Sequence, residues 1–328
     1  MKRLHALVLV SAVLPLLAAP ILGQTAPVKR MSIARVESAR TGVAHKSTSA
    51  LCNGICYSAE VAVVTRVQGT AFFRTSIDIS NNTTQPITAT FQYTYVFNNQ
   101  VFHTAAQTIQ LAAVDNFHQD DIVQYLGVLG LLQPGADQSS FGTFLVTFDN
   151  LPSKVGWEGT ITARTYSPDP TGIGTNGIAY PGTLFFESAN QTLVGTIHDT
   201  RPAPTIAGAL RTNLGVRNTD LNSLGDANPV TVQVSFFDVT EGSATNGQQV
   251  GQTLQIAGLL PGEVHQINDV FTTAQIPANV TACIVFVDVI APTTGFPTVE
   301  GYINILDDDT KDGSYFEMKC TDTDGCAN

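Results

Sequence analysis

Charge is scarce in this chain: acidic and basic residues make up 13% of its 328 positions, against about 25% in ordinary globular domains. What charge there is leans acidic, with 16 Lys and Arg against 27 Asp and Glu for a net −11. A body of that sign repels phosphate backbones, which argues against a nucleic-acid-binding role. Tryptophan is reduced to a single residue, Trp157. No window sustains an apolar 3.6-residue repeat over many turns, which argues against long helices. Beyond the N-terminal segment no run approaches the roughly 20 apolar residues of a membrane-spanning helix. G-x-S-x-G, H-E-x-x-H and the phosphate-binding loop are missing too, so the motif-bearing hydrolases, zinc proteases and nucleotide enzymes have no support.

What is present is alternation, and it occurs twice. Phe73-Arg74-Thr75-Ser76-Ile77-Asp78-Ile79-Ser80-Asn81 returns as Leu210-Arg211-Thr212-Asn213-Leu214-Gly215-Val216-Arg217-Asn218. Each copy leads into a proline-headed run, Pro86-Ile87-Thr88-Ala89-Thr90-Phe91 and Pro229-Val230-Thr231-Val232-Gln233-Val234. Further matches keep the same order: Thr108 to Leu111 with Thr253 to Ile256, His118 with His265, and Asp121 with Asp269. Phe144 to Phe148 then align with Ile284 to Asp288, and Glu158-Gly159 with Glu300-Gly301. Period-two alternation broken by Gly, Pro and Asn turns predicts about six or seven short strands per copy. The expected fold class is therefore all-β, with two tandem antiparallel β-sandwich domains of immunoglobulin-like or jelly-roll-like topology.

The ends carry different signals. Met1-Lys2-Arg3 precedes an apolar stretch from Ala6 to Leu22 that contains Pro15 and Pro20, with a cut expected after Gly23 or Ala26. That pattern is a cleaved export signal rather than an anchor, and it predicts a secreted or periplasmic protein. The expected organisation is a signal peptide at 1–23, a basic arm at 24–60, a first module at 61–200, a second at 201–319 and a cysteine-bounded acidic tail at 320–328.

The repeated [Phe/Leu]-Arg-Thr-x-[Ile/Leu]-x-[Ile/Val]-x-Asn unit, followed by its proline-led strand and an acid-led helical turn, resembles the tandem β-sandwich modules of exported, largely uncharacterised bacterial proteins. The resemblance covers roughly residues 60–310. It implies the architecture and a bacterial source, and it assigns no activity.

Five cysteines are present. Cys52 and Cys56 flank an Asn-Gly turn, and Cys320 and Cys326 flank an acidic turn. Three pairings are open to these four; closure within each pair is the favoured one, as exported chains sustain disulfides. Their spacings fit zinc knuckles poorly. Cys283, inside Val280-Thr281-Ala282-Cys283-Ile284-Val285, is expected to be an inert core thiol.

Four groups of residues are candidates for chemistry. Arg74 and Arg211 lead matched strands, and the structural reading pairs them with Asp121 or Glu158 and with Asp269 or Glu300; the functional reading makes each a ligand-binding guanidinium. His118 and His265 precede their aspartates, but no nucleophile stands in a recognisable elbow. Asp307, Asp309 and Asp312, in Asp307-Asp308-Asp309-Thr310-Lys311-Asp312-Gly313, are the candidate calcium ligands, the alternative being a solvated hairpin turn; no other cofactor is indicated. Trp157, Tyr93 and Tyr95 are the candidates for stacking on sugars, although Phe91, Tyr93, Tyr95 and Phe97 also form the one-faced stripe that a sandwich core requires. The expected function is an exported, non-enzymatic structural or interaction protein. The alternative is a pair of carbohydrate- or surface-binding modules with a cell-surface glycan or protein as partner, and a secreted hydrolase ranks last.

Overall fold

The computed structural model describes residues 57–68, 71–153, 158–169, 174–184, 192–199, 210–219, 229–291, 299–307 and 312–320. All belong to one compact unit spanning Gly42–Asn328. The expected signal peptide, most of the expected basic arm, Trp157, Asp309, Cys52, Cys56 and Cys326 lie outside the described residues.

The chain is all-β, as its alternation predicts. The first half contains β1 (Tyr57–Gln68), β2 (Phe72–Asn81), β3 (Ile87–Phe97), β4 (Gln100–His103), β5 (Gln107–Leu111), β6 (Asn116–Gln119), the helix α1 (Ile122–Val128), β7 (Ser140–Asp149), β8 (Gly159–Pro168), β9 (Thr175–Pro181) and β10 (Thr183–Leu184). The second half follows with β11 (Thr192–His198), β12 (Leu210–Asn218), β13 (Val230–Asp238), β14 (Leu254–Leu259), β15 (Val264–Ile267), the short α2 (Val270–Thr273), β16 (Ala282–Ala291), β17 (Val299–Asp307), β18 (Gly313–Glu317) and β19 (Lys319–Cys320). Pairing is antiparallel throughout. In the first half the order is β4-β3-β7-β1-β2-β8-β9, with β5 on β3, β6 on β2 and β10 on β1. The second half has two separate ladders, β14-β13-β16-β11-β19 and β15-β12-β17-β18.

The duplicated strands do the same work in both halves. Ile77 and Ile79 of β2, like Leu214 and Val216 of β12, fill the core, while the terminal asparagines are buried at a corner. Asn81 donates its amide to the carbonyls of Leu111 (3.3 Å) and Ala112 (2.6 Å), and Asn218 donates to Leu259 (2.9 Å). Each thereby ties the end of its strand to the end of a later one, β5 in the first half and β14 in the second, and gives the buried amide its hydrogen-bond partners. The acid-led turns are also equivalent: Asp121 accepts from Gln124 N (3.0 Å) and Asp269 from Thr272 N (3.2 Å), so both are helix N-caps.

Two boundaries and two registers differ from expectation. Tyr57 to Glu60, assigned to the arm, belong to β1 and pair with β7. Thr192–His198, assigned to the first module, pairs along its whole length with β16 and so begins the second half. The repeat also slips in two strands. Phe91 faces Val146 and Val234 faces Val287, so Phe144 corresponds to Val285 rather than Ile284. In β8 and β17, Ile79 faces Ile161 while Val216 faces Gly301, a shift of two residues from the apparent Glu-Gly match. A one-residue slip in a strand exchanges its faces. Ile284 and Phe286 therefore lie on the outer face of the second half, where the alignment had placed core residues.

One hydrophobic cluster fills the first half, around Ile77, Phe91, Tyr93, Phe144 and Phe148, and a second is built on Leu214, Val216, Val234, Phe236 and Val285. Val264 and Tyr302, from β15 and β17, pack into the first cluster rather than the second. The outer face of β12-β15-β17 thus lies on the first half.

Candidate functional site at the junction of the halves

Most sequence candidates turn out to be scaffold. Tyr93 and Tyr95 are 0% and 2% exposed, so neither ring is open to a sugar. Their stripe is core: the two rings stack at 5.1 Å, and Tyr93 Oη donates to Val64 O at 3.0 Å. Burial raises the Tyr93 phenol well above its ordinary range.

Arg74 does not meet Asp121 or Glu158. Its guanidinium stacks over Tyr166 at 5.0 Å, with Nε buried and unbonded. Asp121 is taken by Arg66, whose Nε donates to Oδ2 at 2.8 Å, and Glu158 accepts from Ser153 N at 2.8 Å. Arg211 Nη1 donates to Asn213 Oδ1 at 3.2 Å, the same oxygen that accepts from Asp269 N at 3.0 Å. The repeated arginine is thus a strand-leading residue with a different neighbour in each half.

The repeated histidines are not equivalent either. His118 stands opposite Asp78 in β2, whereas His265 stands opposite Val216, one register step away. His118 Nδ1 bonds Asp78 Oδ1 at 2.9 Å and Nε2 bonds Asp120 Oδ1 at 3.1 Å. Hydrogen bonds to Asp120 and then Asp78 raise the imidazole above its ordinary range. The arrangement is a surface clamp.

Asp307 and Asp312 close the β17–β18 hairpin, Asp307 N donating to Asp312 O at 2.8 Å. Asp312 Oδ1 also accepts from Gly177 N at 3.0 Å, which ties this hairpin to β9. A shallow hollow of about 330 Å³ lies here, lined by Leu210, Asp307, Asp312 and Phe316. Among the described residues no three acidic, histidine or cysteine side chains converge as a metal site. Cys283 is buried as a free thiol, pushed up to about 12 by burial and then by Asp238. Cys320 ends β19 opposite Leu193.

The group that sequence reasoning missed lies where the halves meet. Arg217, 1% exposed, reaches from β12 to Glu60 on β1 and lies 3.5 Å from Glu300 on β17. Glu60 and Glu300 are buried as well, and Glu60 Oε1 accepts no hydrogen bond. Burial pulls the Arg217 guanidinium down to about 10 while Glu300 holds it up, so it stays charged at neutral pH. One cation thus faces two carboxylates in a site closed to water. Around it, Asn304 Nδ2 donates to Tyr180 Oη at 3.0 Å, Tyr180 and Tyr315 meet edge-on at 5.3 Å, and Tyr302 and Tyr315 stack at 6.0 Å. A charge with no partner in such a place costs several kcal/mol, so the cluster fixes how the halves meet. The one signal in the sequence was Arg217 itself, a cation between Val216 and Asn218 where the first copy has Ser80.

Compared with known proteins, the chain matches no family model and no curated protein.

Proposed function

We propose that this chain is an exported, non-enzymatic structural or interaction protein of the cell envelope or exterior, secreted or periplasmic, with the two repeated units acting as one rigid body. The observation that carries the reading is the buried Arg217–Glu60–Glu300 cluster, which joins strands from both halves. The remaining candidates point the same way: Arg66 with Asp121, the caps Asp121 and Asp269, and Tyr93 on Val64 are all spent on holding strands. The basic-then-apolar N-terminus supports export.

The test is expression of the whole chain in a bacterial host, followed by fractionation and intact-mass measurement. The expected result is a product outside the cytoplasm that begins after Gly23 or Ala26. Retention in the cytoplasm with the leader intact overturns export. Turnover of a glycoside or ester substrate by the purified chain, lost when a single acidic side chain is neutralised without a change in melting temperature, overturns the non-enzymatic reading.

A further inference from the structure

Val114 is a β-branched residue in the left-handed region, φ 55°, and it is 76% exposed. Each property is unfavourable by itself: a Cβ-branched side chain strains at positive φ, and a large apolar side chain in water loses its burial energy. Its counterpart in the second half is identified by hydrogen bonding. Asn81 N donates to Asp115 O (2.9 Å) and Asn218 N to Glu263 O (3.0 Å), so Val114 corresponds to Gly262, which also has positive φ, 74°.

Gly262 is a contact residue of the internal junction. A Cβ added to it would stand 2.9 Å from Thr94 Cγ2 and 3.4 Å from the His103 ring. The surface it meets is the outer face of β3-β7-β1, with cross-strand rows Thr94–Thr143 and Gln92–Leu145–Glu60. Pairing fixes the matching face of the second half as Phe237–Ile284 and Ser235–Phe286–Val194. In the first half this face is largely covered, with Thr94, Thr143, Leu145 and Glu60 buried and Gln92 partly so. In the second half Ser235 is buried, whereas Phe237, Ile284, Phe286 and Val194 are only partly buried, and the two phenyl rings meet edge-on at 5.5 Å. A further counterpart behaves likewise. Tyr180 of β9 is 3% exposed in the junction, whereas Phe316, at the same place in β18, is 50% exposed.

We infer that a second copy of this chain docks on that open face, its first half taking the place that the second half takes in the internal junction, so that copies join head to tail. The internal junction buries Arg217 and Glu300 against Glu60, and the corresponding positions of the new joint are the neutral Ser80 and Thr160 against Val194, so no buried ion cluster is needed there. Val114 then meets Phe237 where Gly262 meets Thr94. The face also carries Asp78, His118 and Arg164 in the places of Gly215, Gln266 and Asn304, and they enter the joint already hydrogen-bonded, Asp78 to His118 and Arg164 to Thr175. A contact between unlike surfaces does not close on itself as a two-fold pair, and it propagates.

The inference rests on the structural reading above, and its test separates the two. Sedimentation velocity of the exported full-length chain is expected to show mass rising with concentration past the dimer. Val114→Asp, which touches no core and puts a residue more tolerant of positive φ there, and Phe237→Asp, checked for an unchanged far-ultraviolet spectrum, are each expected to weaken association at least about tenfold. Each variant spoils one end, so an equimolar mixture of the two is expected to form a discrete dimer that neither forms alone. A wild type that stays monomeric at every concentration overturns the inference, as does a closed dimer broken by Phe237→Asp and untouched by Val114→Asp. Either result leaves export and the lack of turnover standing, whereas a cytoplasmic or catalytic chain sinks the structural reading whatever its mass.

Discussion

Arg217 of the second half ends against Glu60 of the first, with both side chains sealed from solvent. Removing the cation leaves two buried carboxylates facing each other. Arg217→Met is therefore expected to cost about 3–5 kcal/mol, the range for breaking a buried ion pair from one side. Glu60→Gln leaves Arg217 with Glu300 and is expected to cost less. Urea unfolding of the two variants measures the difference, and equal losses would contradict the picture of one cation shared by two acids.

Asp238 organises the loop after β13. Burial alone raises a carboxyl, but hydrogen bonds from Ser243, Thr245 and Thr240 outweigh it and hold Asp238 at about 2. A group whose folded value lies below its unfolded one stabilises the fold above the unfolded value and loses that contribution as pH falls. Stability is thus expected to drop between about pH 4, the ordinary aspartate value, and the folded value of about 2. Asp238→Asn should cost about 1–3 kcal/mol at neutral pH and flatten that acid limb in a pH series of melting temperatures.

His118 titrates the other way. Asp120 and Asp78 raise its imidazole, so its contribution is present below the ordinary histidine value of about 6.5 and fades as pH rises through the folded value. Because the pair is solvent-exposed the effect on stability is small, and the direct readout is its NMR titration. The midpoint is expected above that of a free histidine, and Asp78→Asn with Asp120→Asn is expected to bring it back.

Cys283 should be inert. A thiol pushed up to about 12 in a closed strand carries almost no thiolate at pH 8. Native protein treated with iodoacetamide is expected to leave Cys283 unmodified, and protein in denaturant to label it fully. Peptide mass mapping distinguishes the two.

How far the residues disclosed this in advance depended on whether a strand has one apolar face or two. In β3 from Ile87 to Tyr95 and in β13 from Val230 to Phe236, the runs headed by Pro86 and Pro229, apolar side chains stand only at alternate positions, so their register was readable from the sequence. In β16, Ile284, Val285, Phe286 and Val287 are apolar in succession, which leaves periodicity silent on which face each takes. The alignment to Phe144 therefore slipped by one, and the outer aromatic face stayed hidden. The Glu158-Gly159 and Glu300-Gly301 match misled by a different route: identical residues sit two positions apart in the ladder, and only hydrogen bonding shows it. Duplication drew attention to Arg74 and Arg211, while Arg66 and Arg217, which make the buried and half-buried ion pairs, have no counterpart to mark them. Side-chain partners across 55 or 157 positions of chain are set by topology, which alternation reports only in outline.

Strand β1 hydrogen-bonds to β7 along most of its length and to β2 at its end, so the first half is a single continuous ladder. In the second half the splice is shorter: β18 runs through Met318, whose N–H donates to Gly301 O at 2.8 Å, into β19, so one segment pairs with β17 in one ladder and then with β11 in the other. Under a pulling force the two halves therefore fail differently. The second, whose layers share only the short β19 pairing at Leu193 and Val194, is expected to part there first, as laminate peels, while the first resists until its strands are sheared from one another.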